Sequence, residues 1–317
     1  MQIRNVDFLL TFRCPAKCKH CSYKAGPERR GYMKLKDAKS YLEELTDTQP
    51  LQSITVHGGE PFLYFEHLKE IIEKAGEVVV PRRGVITNGY WAKTKEIAKK
   101  KLVELKRVGL TCITFSLDSF HQEYIPLEIV KTGIETAANI GFDRVCVDSY
   151  FLAGIDSDNF YDTLTREALE SLRGLDEVEV HRYRVSFEGR GAELTRHVKL
   201  REDLPSGKCP LRFWIDGTLK NPETIEIDFE GNVTLCPGIC IGNTKRQPLT
   251  QLLQNYNCHA HPILSIIAEK GPVGLLEIAE EKGFKQRKFV DECHLCYELR
   301  KYLRAYYPQF LTPVDCY

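Results

Sequence analysis

The chain has 317 residues, 43% of them hydrophobic and 10% aromatic, which is the make-up of a folded protein and not of a disordered one, with room for a large α/β domain and a smaller appendage. Its 44 basic residues balance 44 acidic ones, so no net field argues for a nucleic-acid partner or an anionic membrane surface. No apolar run reaches about 18 residues and the opening M-Q-I-R-N-V-D has no signal-peptide layout, so a cytoplasmic protein without a membrane partner is expected, its twelve cysteines metal ligands and not a disulfide framework.

An apolar run over residues 6–13 predicts the first strand. It leads straight into R-C-P-A-K-C-K-H-C-S, which carries Cys14, Cys18 and Cys21. Three thiolates this close can converge on one metal centre, and a [4Fe-4S] cube has one iron more than that, so one iron stays open to a small molecule. A zinc site would need a fourth ligand, for which His20 is the nearby candidate. This C-x3-C-x2-C arrangement after an N-terminal strand resembles the radical SAM enzymes. The resemblance implies that the open iron holds the amino and carboxylate groups of S-adenosylmethionine. It also implies that His20 packs over the cluster and that an electron donor such as flavodoxin or ferredoxin serves it.

Further strands are predicted at 53–58, 84–87, 111–117, 144–151 and 178–187, most of them nearly continuous in Val, Ile, Phe and Leu as parallel strands covered by helices are. Helical patterns alternate with them. Leu35, Ala38, Leu42 and Leu45 share one face, as do Phe65, Leu68, Ile72 and Ala75, then Ala98, Leu102 and Leu105 within 94–108. Two more cover about 126–140 and 159–173. Six such units are too few for a closed eight-stranded barrel, which needs about 250 residues. The expected fold is α/β, a partial (β/α)6 barrel with a smaller C-terminal α+β domain, the barrel agreeing with the radical SAM core.

Ligands in such folds gather at the C-terminal strand ends. The second strand ends in H-G-G-E-P, where Gly58 and Gly59 let backbone approach a neighbour closely, or simply reverse the chain. With Glu60 this resembles the family's G-G-E-P, whose backbone meets the amino group of the methionine moiety. The third ends in T-N-G with Asn88, either a ligand contact similar to the family's or an Asn-Gly turn. The fourth ends in S-L-D, where Ser116 and Asp118 face the same side and suit ribose hydroxyls. The stretch 120–124 could line a substrate pocket or cap the next helix. Asp148, Ser149, Tyr150, Arg182 and Arg184 are explained by strand alternation, and Cys112 and Cys146 are expected to be buried small apolar residues.

Near residue 188 the alternation stops. The organisation expected is a barrel over 1–188, a polar connector over 189–208 and a cysteine-rich domain over 209–317. T-I-E-I-D-F-E-G-N-V-T-L-C reads as a hairpin turning at Gly231-Asn232 and delivering Cys236. D-E-C-H-L-C opens a helix with Cys293 and Cys296, where the dipole favours thiolates. With Cys209 upstream these make four. The set resembles the twitch subdomain, a shortened SPASM domain, and implies an auxiliary [4Fe-4S] cluster on Cys209, Cys236, Cys293 and Cys296. The gap from Cys209 to Gly231 is longer than usual, and Cys240 could replace Cys209, act as a substrate-side thiol or be buried. Cys258, beside His259 and His261, could bind a metal but is rather expected in a solvated loop, and Cys316 in an inert tail.

The enzyme expected is a radical SAM protein with two [4Fe-4S] clusters that forms a 5′-deoxyadenosyl radical and takes a hydrogen atom from a peptide or small molecule, with net oxidation or cross-linking. The end without Gly-Gly argues against GTP cyclisation, and neither a cobalamin domain nor a leading peptide-recognition domain is expected. Alternatives are an iron-sulfur electron carrier, a metal-stabilised binding protein and a redox-neutral rearrangement or epimerisation. The strand-end motifs favour the enzyme, because an electron carrier has no use for them.

Overall fold

A computed structural model describes residues 1–211 and 216–317. The chain forms two compact units. One holds Asp7–Cys18 and Ala25–Val185; the other holds Met1–Val6, Lys19–Lys24 and Ser186–Tyr317.

The first unit alternates strand and helix through β1 (Asn5–Thr11), α1 (Leu35–Thr48), β2 (Ser53–Gly58), α2 (Phe65–Glu77), β3 (Arg82–Thr87), α3 (Lys95–Arg107) and β4 (Cys112–Ser116). It continues through a one-turn α4 (Ser119–Gln122), α5 (Leu127–Ile140), β5 (Arg144–Phe151), α6 (Phe160–Glu170) and β6 (Val178–Arg184). The strands lie in the order β6-β5-β4-β3-β2-β1, and β2 to β6 pair in parallel, as the partial barrel requires. The helices bury the faces that periodicity selects: Ala38, Leu42 and Leu45 of α1 and Ala98, Leu102 and Leu105 of α3. Leu35 and Phe65 are only half-buried, the latter under the Lys101 ammonium 3.8 Å from its ring centre. Helix starts follow capping chemistry, with Thr94 accepting from Ile97 N–H and Asn159 from Asp162 N–H. Gly133 lets α5 close on β4, since a Cβ there would stand 2.8 Å from the Phe115 ring.

The second unit contains an antiparallel sheet of β7 (Thr224–Asp228), β8 (Asn232–Cys236) and β9 (Ile239–Asn243), then α7 (Leu249–Gln254), α8 (Leu264–Lys270), α9 (Gly274–Glu281) and α10 (Glu292–Leu303). The hairpin turns where Gly-Asn predicts it. Gly231 has φ +82°, and the Asp228 carboxylate accepts from the N–H groups of Glu230 and Asn232 at 2.8 and 2.9 Å. Strand β9 and helices α7 to α9 were not expected, because none exceeds eight residues and so short a segment shows little period. Cys258 does not lie in a solvated loop: it is 3% exposed, and burial pushes its thiol up. His261 is spent on structure, its Nε2 3.0 Å from the Cys240 carbonyl and its Nδ1 accepting from Ile263 and Leu264. Cys316 is likewise buried and not a loose tail.

Candidate active site

Strand β1 delivers the cysteine loop. Cys14 and Cys18 belong to the barrel unit and are 7% and 6% exposed. The Cys14 N–H donates to the Gly26 carbonyl at 3.1 Å, which returns the loop alongside the strand exit. Cys21 lies in the 19–24 segment of the other unit, where its carbonyl accepts from Arg190 N–H at 3.1 Å. Gly189 permits that approach: its φ is +57° and a Cβ would meet the Ser22 carbonyl oxygen at 2.4 Å. His20 is 9% exposed in the same segment.

Within the barrel unit, the G-G-E-P turn owes its glycines to the chain itself. A Cβ on Gly58 would lie 2.4 Å from the Thr11 carbonyl oxygen, and one on Gly59 2.1 Å from that of Arg13. With both absent, Gly59 N–H donates to Thr11 at 2.6 Å and Glu60 N–H to Arg13 at 2.9 Å, fastening the turn to the start of the cysteine loop. Glu60 is fully buried. Its Oε1 accepts from Phe62 N–H and Thr87 Oγ1 at 3.0 and 2.8 Å, and its Oε2 from Asn88 N–H at 2.8 Å. Burial pushes its carboxyl up to about 7 despite these donors. The neighbouring His57 is pushed down to about 4 by burial.

Thr87 is a hub that the sequence did not single out. Besides donating to Glu60, its hydroxyl accepts from Gly89 N–H at 3.1 Å and from Trp91 Nε1 at 2.9 Å, and Trp91 stacks on Phe62 with centroids 4.0 Å apart. The rigid support aims Asn88. Its Nδ2 donates to Cys14 Sγ at 3.4 Å while its Oδ1 accepts from Tyr90 N–H at 3.0 Å, so Asn88 touches the cysteine loop directly.

Ser116 is 9% exposed at the end of β4. Asp118, two residues on, is fully buried and caps α4: Oδ1 accepts from the N–H groups of Phe120 and His121 at 3.0 Å, and Oδ2 lies 2.9 Å from His121 Nδ1. Residues 120–122 are therefore part of a capped turn. Burial opposes charge on His121, but Asp118 and Cys18 beside it carry it well above the usual histidine range. Cys112 differs from the buried apolar residue expected. It is half-buried, on the strand beside the one that carries Cys146.

In the other unit one recess is lined by Cys209, Cys236, Cys293 and Cys296, together with Pro210, Leu219, Ile239, Ile267, Pro272 and the side chain of Arg300. Hairpin β7-β8 supplies Cys236; α10, capped by Asp291 accepting from His294 N–H at 2.9 Å, supplies Cys293 and Cys296. Glu292 Oε1 accepts from Gly207 N–H at 3.3 Å, which ties down the segment leading to Cys209. Four thiols in a mostly apolar recess, which Glu188, Glu292 and Arg300 also line, suit a fully cysteine-ligated iron-sulfur cube. Cys240 is turned elsewhere. Its thiol donates to the Gly242 carbonyl at 3.0 Å, and burial pushes it up to about 11.

Arg300 was also missed, though its spacing shows it: residues 293, 296 and 300 fall on one helix face. It is 1% exposed. Its Nη1 donates to the Pro237 carbonyl at 2.8 Å and to Tyr317 Oη at 2.9 Å, and Nη2 stands 3.7 Å from Glu188. It thus ties α10 to the residues that follow Cys236 and sets a fixed cation beside the thiols.

Comparison with known proteins places these residues in context. The profile of the radical SAM superfamily matches residues 8–166. A protein named for peptide biosynthesis, YydG of Bacillus subtilis, is 26% identical over 138 residues, 43% of this chain and 42% of its own. The GTP 3′,8-cyclase of Haemophilus influenzae is 26% identical over 165 residues, 48% of this chain and 46% of its own. The matched segment thus spans about half the length of these relatives. Among solved structures, BtrN in complex with AdoMet and 2-DOIA gives a TM-score of 0.48 at 15% identity, covering 86% of this chain and 90% of that one. The coproporphyrinogen III oxidase HemN from Escherichia coli gives 0.47 at 11%, covering 93% and 90%.

Proposed function

Because the chain belongs to the radical SAM superfamily, we propose that it cleaves S-adenosylmethionine reductively and uses the resulting radical to oxidise or cross-link a peptide or small-molecule substrate. Cys14, Cys18 and Cys21 would hold the first [4Fe-4S] cluster, a donor set whose count leaves one iron for the cofactor. Cys209, Cys236, Cys293 and Cys296 would hold the second, in a twitch-like domain. When bound, these groups supply a 5′-deoxyadenosyl radical that removes a hydrogen atom and an acceptor for the electron left behind.

The chain's own residues position and shield. Gly58 and Gly59 bring the backbone of the β2 turn against the cysteine loop; Glu60 and Thr87 hold that turn to the end of β3; Asn88 reaches Cys14. We assign Gly58, Gly59, Asn88 and Ser116 to contact with the cofactor. Glu60 and Asp118 belong to the same site but act through the backbone N–H groups they fix, since their carboxylates already accept from those donors. A small ferredoxin or flavodoxin would supply the electron.

The observation that carries the oxidative reading is the recess lined by four cysteines. Four protein ligands leave a cube no open iron, so electron transfer is its simplest use. A peptide substrate is supported by the relative named for peptide biosynthesis. The test is anaerobic incubation of reduced, reconstituted protein with S-adenosylmethionine and peptide or metabolite pools. The expected outcome is 5′-deoxyadenosine, lost in the Cys14→Ala, Cys18→Ala, Cys21→Ala variant, and a product lighter by two hydrogens. An isomer of unchanged mass would overturn the oxidative reading; cleavage persisting in the triple variant would overturn the site.

A further inference from the structure

On one face of the barrel sheet, alternation brings together chemistry that none of the motifs above uses. Cys146 on β5 is the register partner of Glu179 on β6, and Asp148 is that of His181. A thiol, a carboxylate and an imidazole therefore share the same face of an edge strand and its neighbour. One ligand atom each from Cys146, Glu179 and His181 lie within 4.8 Å of one another. Cys146 is 2% exposed, while the side chains of Glu179 and His181 are 46% and 33% exposed, so the group is anchored inside and open outside.

The imidazole is oriented. Its Nδ1 lies 2.9 Å from Asp148 Oδ1, which leaves Nε2 facing Glu179 Oε2 at 3.8 Å. A carboxylate holding one ring nitrogen so that the other faces an acid is the arrangement that fixes the tautomer of metal-bound histidines. Arg144 occupies part of Glu179, with Nε 2.9 Å from Oε1 and Nη2 2.5 Å from Oε2. Each carboxylate oxygen keeps a second lone pair, so the guanidinium and a cation can share the group.

We propose that Cys146, Glu179 and His181 form a binding site for Zn2+, with Asp148 as the positioning residue for His181. Mixed S, N and O donors select zinc over the hard cations that prefer oxygen alone. Three protein ligands leave the fourth position to water, and Cys112 lies beside Cys146. Binding releases the Cys146 proton to solvent, so affinity rises with pH. The cation would clip the edge strand β6 to β5.

The test uses the full chain with its iron-sulfur clusters reconstituted, stripped of loose metal with a chelator, given one equivalent of zinc and desalted. About one zinc is retained per chain, and zinc-edge X-ray absorption finds a single sulfur at about 2.3 Å with nitrogen and oxygen at about 2.0–2.2 Å. Zinc affinity falls at least tenfold in His181→Ala and in Cys146→Ser, and about 10–100-fold in Asp148→Asn, with iron content unchanged. Should Cys146→Ser fail to fold, His181→Ala, at a half-exposed edge position, decides. Absence of retained zinc, a shell of four sulfurs, or equal retention in His181→Ala would each overturn the proposal.

Discussion

Glu60 shows how a single buried carboxyl holds two strand ends in place. It is lifted to about 7 from an ordinary 4.5, so between those values the folded protein keeps a proton that the unfolded chain has released. Its contribution to stability is full below about 4.5 and declines as pH rises toward 7, then stays level. Glu60→Gln removes that decline, and it also leaves Asn88 N–H facing an amide nitrogen in place of Oε2. An unmade buried bond costs about 1–3 kcal/mol. Urea midpoints at pH 5 and pH 8 test both: the variant should be weaker at pH 5 and show a smaller fall between the two. An equal fall in parent and variant would assign the titration to another group. Asn88→Ala removes the donor to Cys14 Sγ together with the acceptor for Tyr90 N–H, and should lower retention of the first cluster more than it lowers the melting temperature.

At the scale of elements, the two strand ends β1 and β2 meet through glycine, and the same substitution made at two positions should have opposite signs. Gly59→Ala sets a Cβ 2.1 Å from the Arg13 carbonyl oxygen, a backbone atom that cannot turn aside, and should cost about 1–3 kcal/mol or more. Iron content should drop with it, because Arg13 precedes Cys14. Gly76→Ala, near the end of α2 with nothing within 4 Å, should stabilise by about 0.4–1 kcal/mol. Thermal melts and iron assays of the two proteins decide.

The strands of the barrel were legible because buried parallel strands are nearly continuous in apolar residues, and β2 and β5 fall where the sequence puts them. The glycines of G-G-E-P were legible as a close approach, but not which atoms are approached: carbonyls of a segment more than forty residues away in sequence leave no local trace. Asp118 was read for its side of the strand, yet it sits at a helix entrance, where a carboxylate serves N–H groups first. Thr87 escaped notice because nothing in T-N-G distinguishes a hydroxyl with three partners from one with none.

For the whole molecule, the two cysteine sets lead to a count. Two cubanes give about eight irons per chain, whereas one cubane and a zinc-filled recess give about four irons and one zinc. With Cys14, Cys18 and Cys21 all changed to Ala, about four irons should remain on the recess cysteines. Cys209→Ala or Cys293→Ala should remove those four instead. Cys240→Ala should keep all eight, since its thiol donates to Gly242. Arg300→Met supplies a further arm: Arg300 lines the recess, so loss of its charge should lower the cluster's reduction potential while iron stays bound. Full iron in Cys209→Ala together with loss in Cys240→Ala would move the fourth ligand to β9. An unchanged potential in Arg300→Met would show that its bonds to Pro237 and Tyr317, and not its charge, are what matter at the recess.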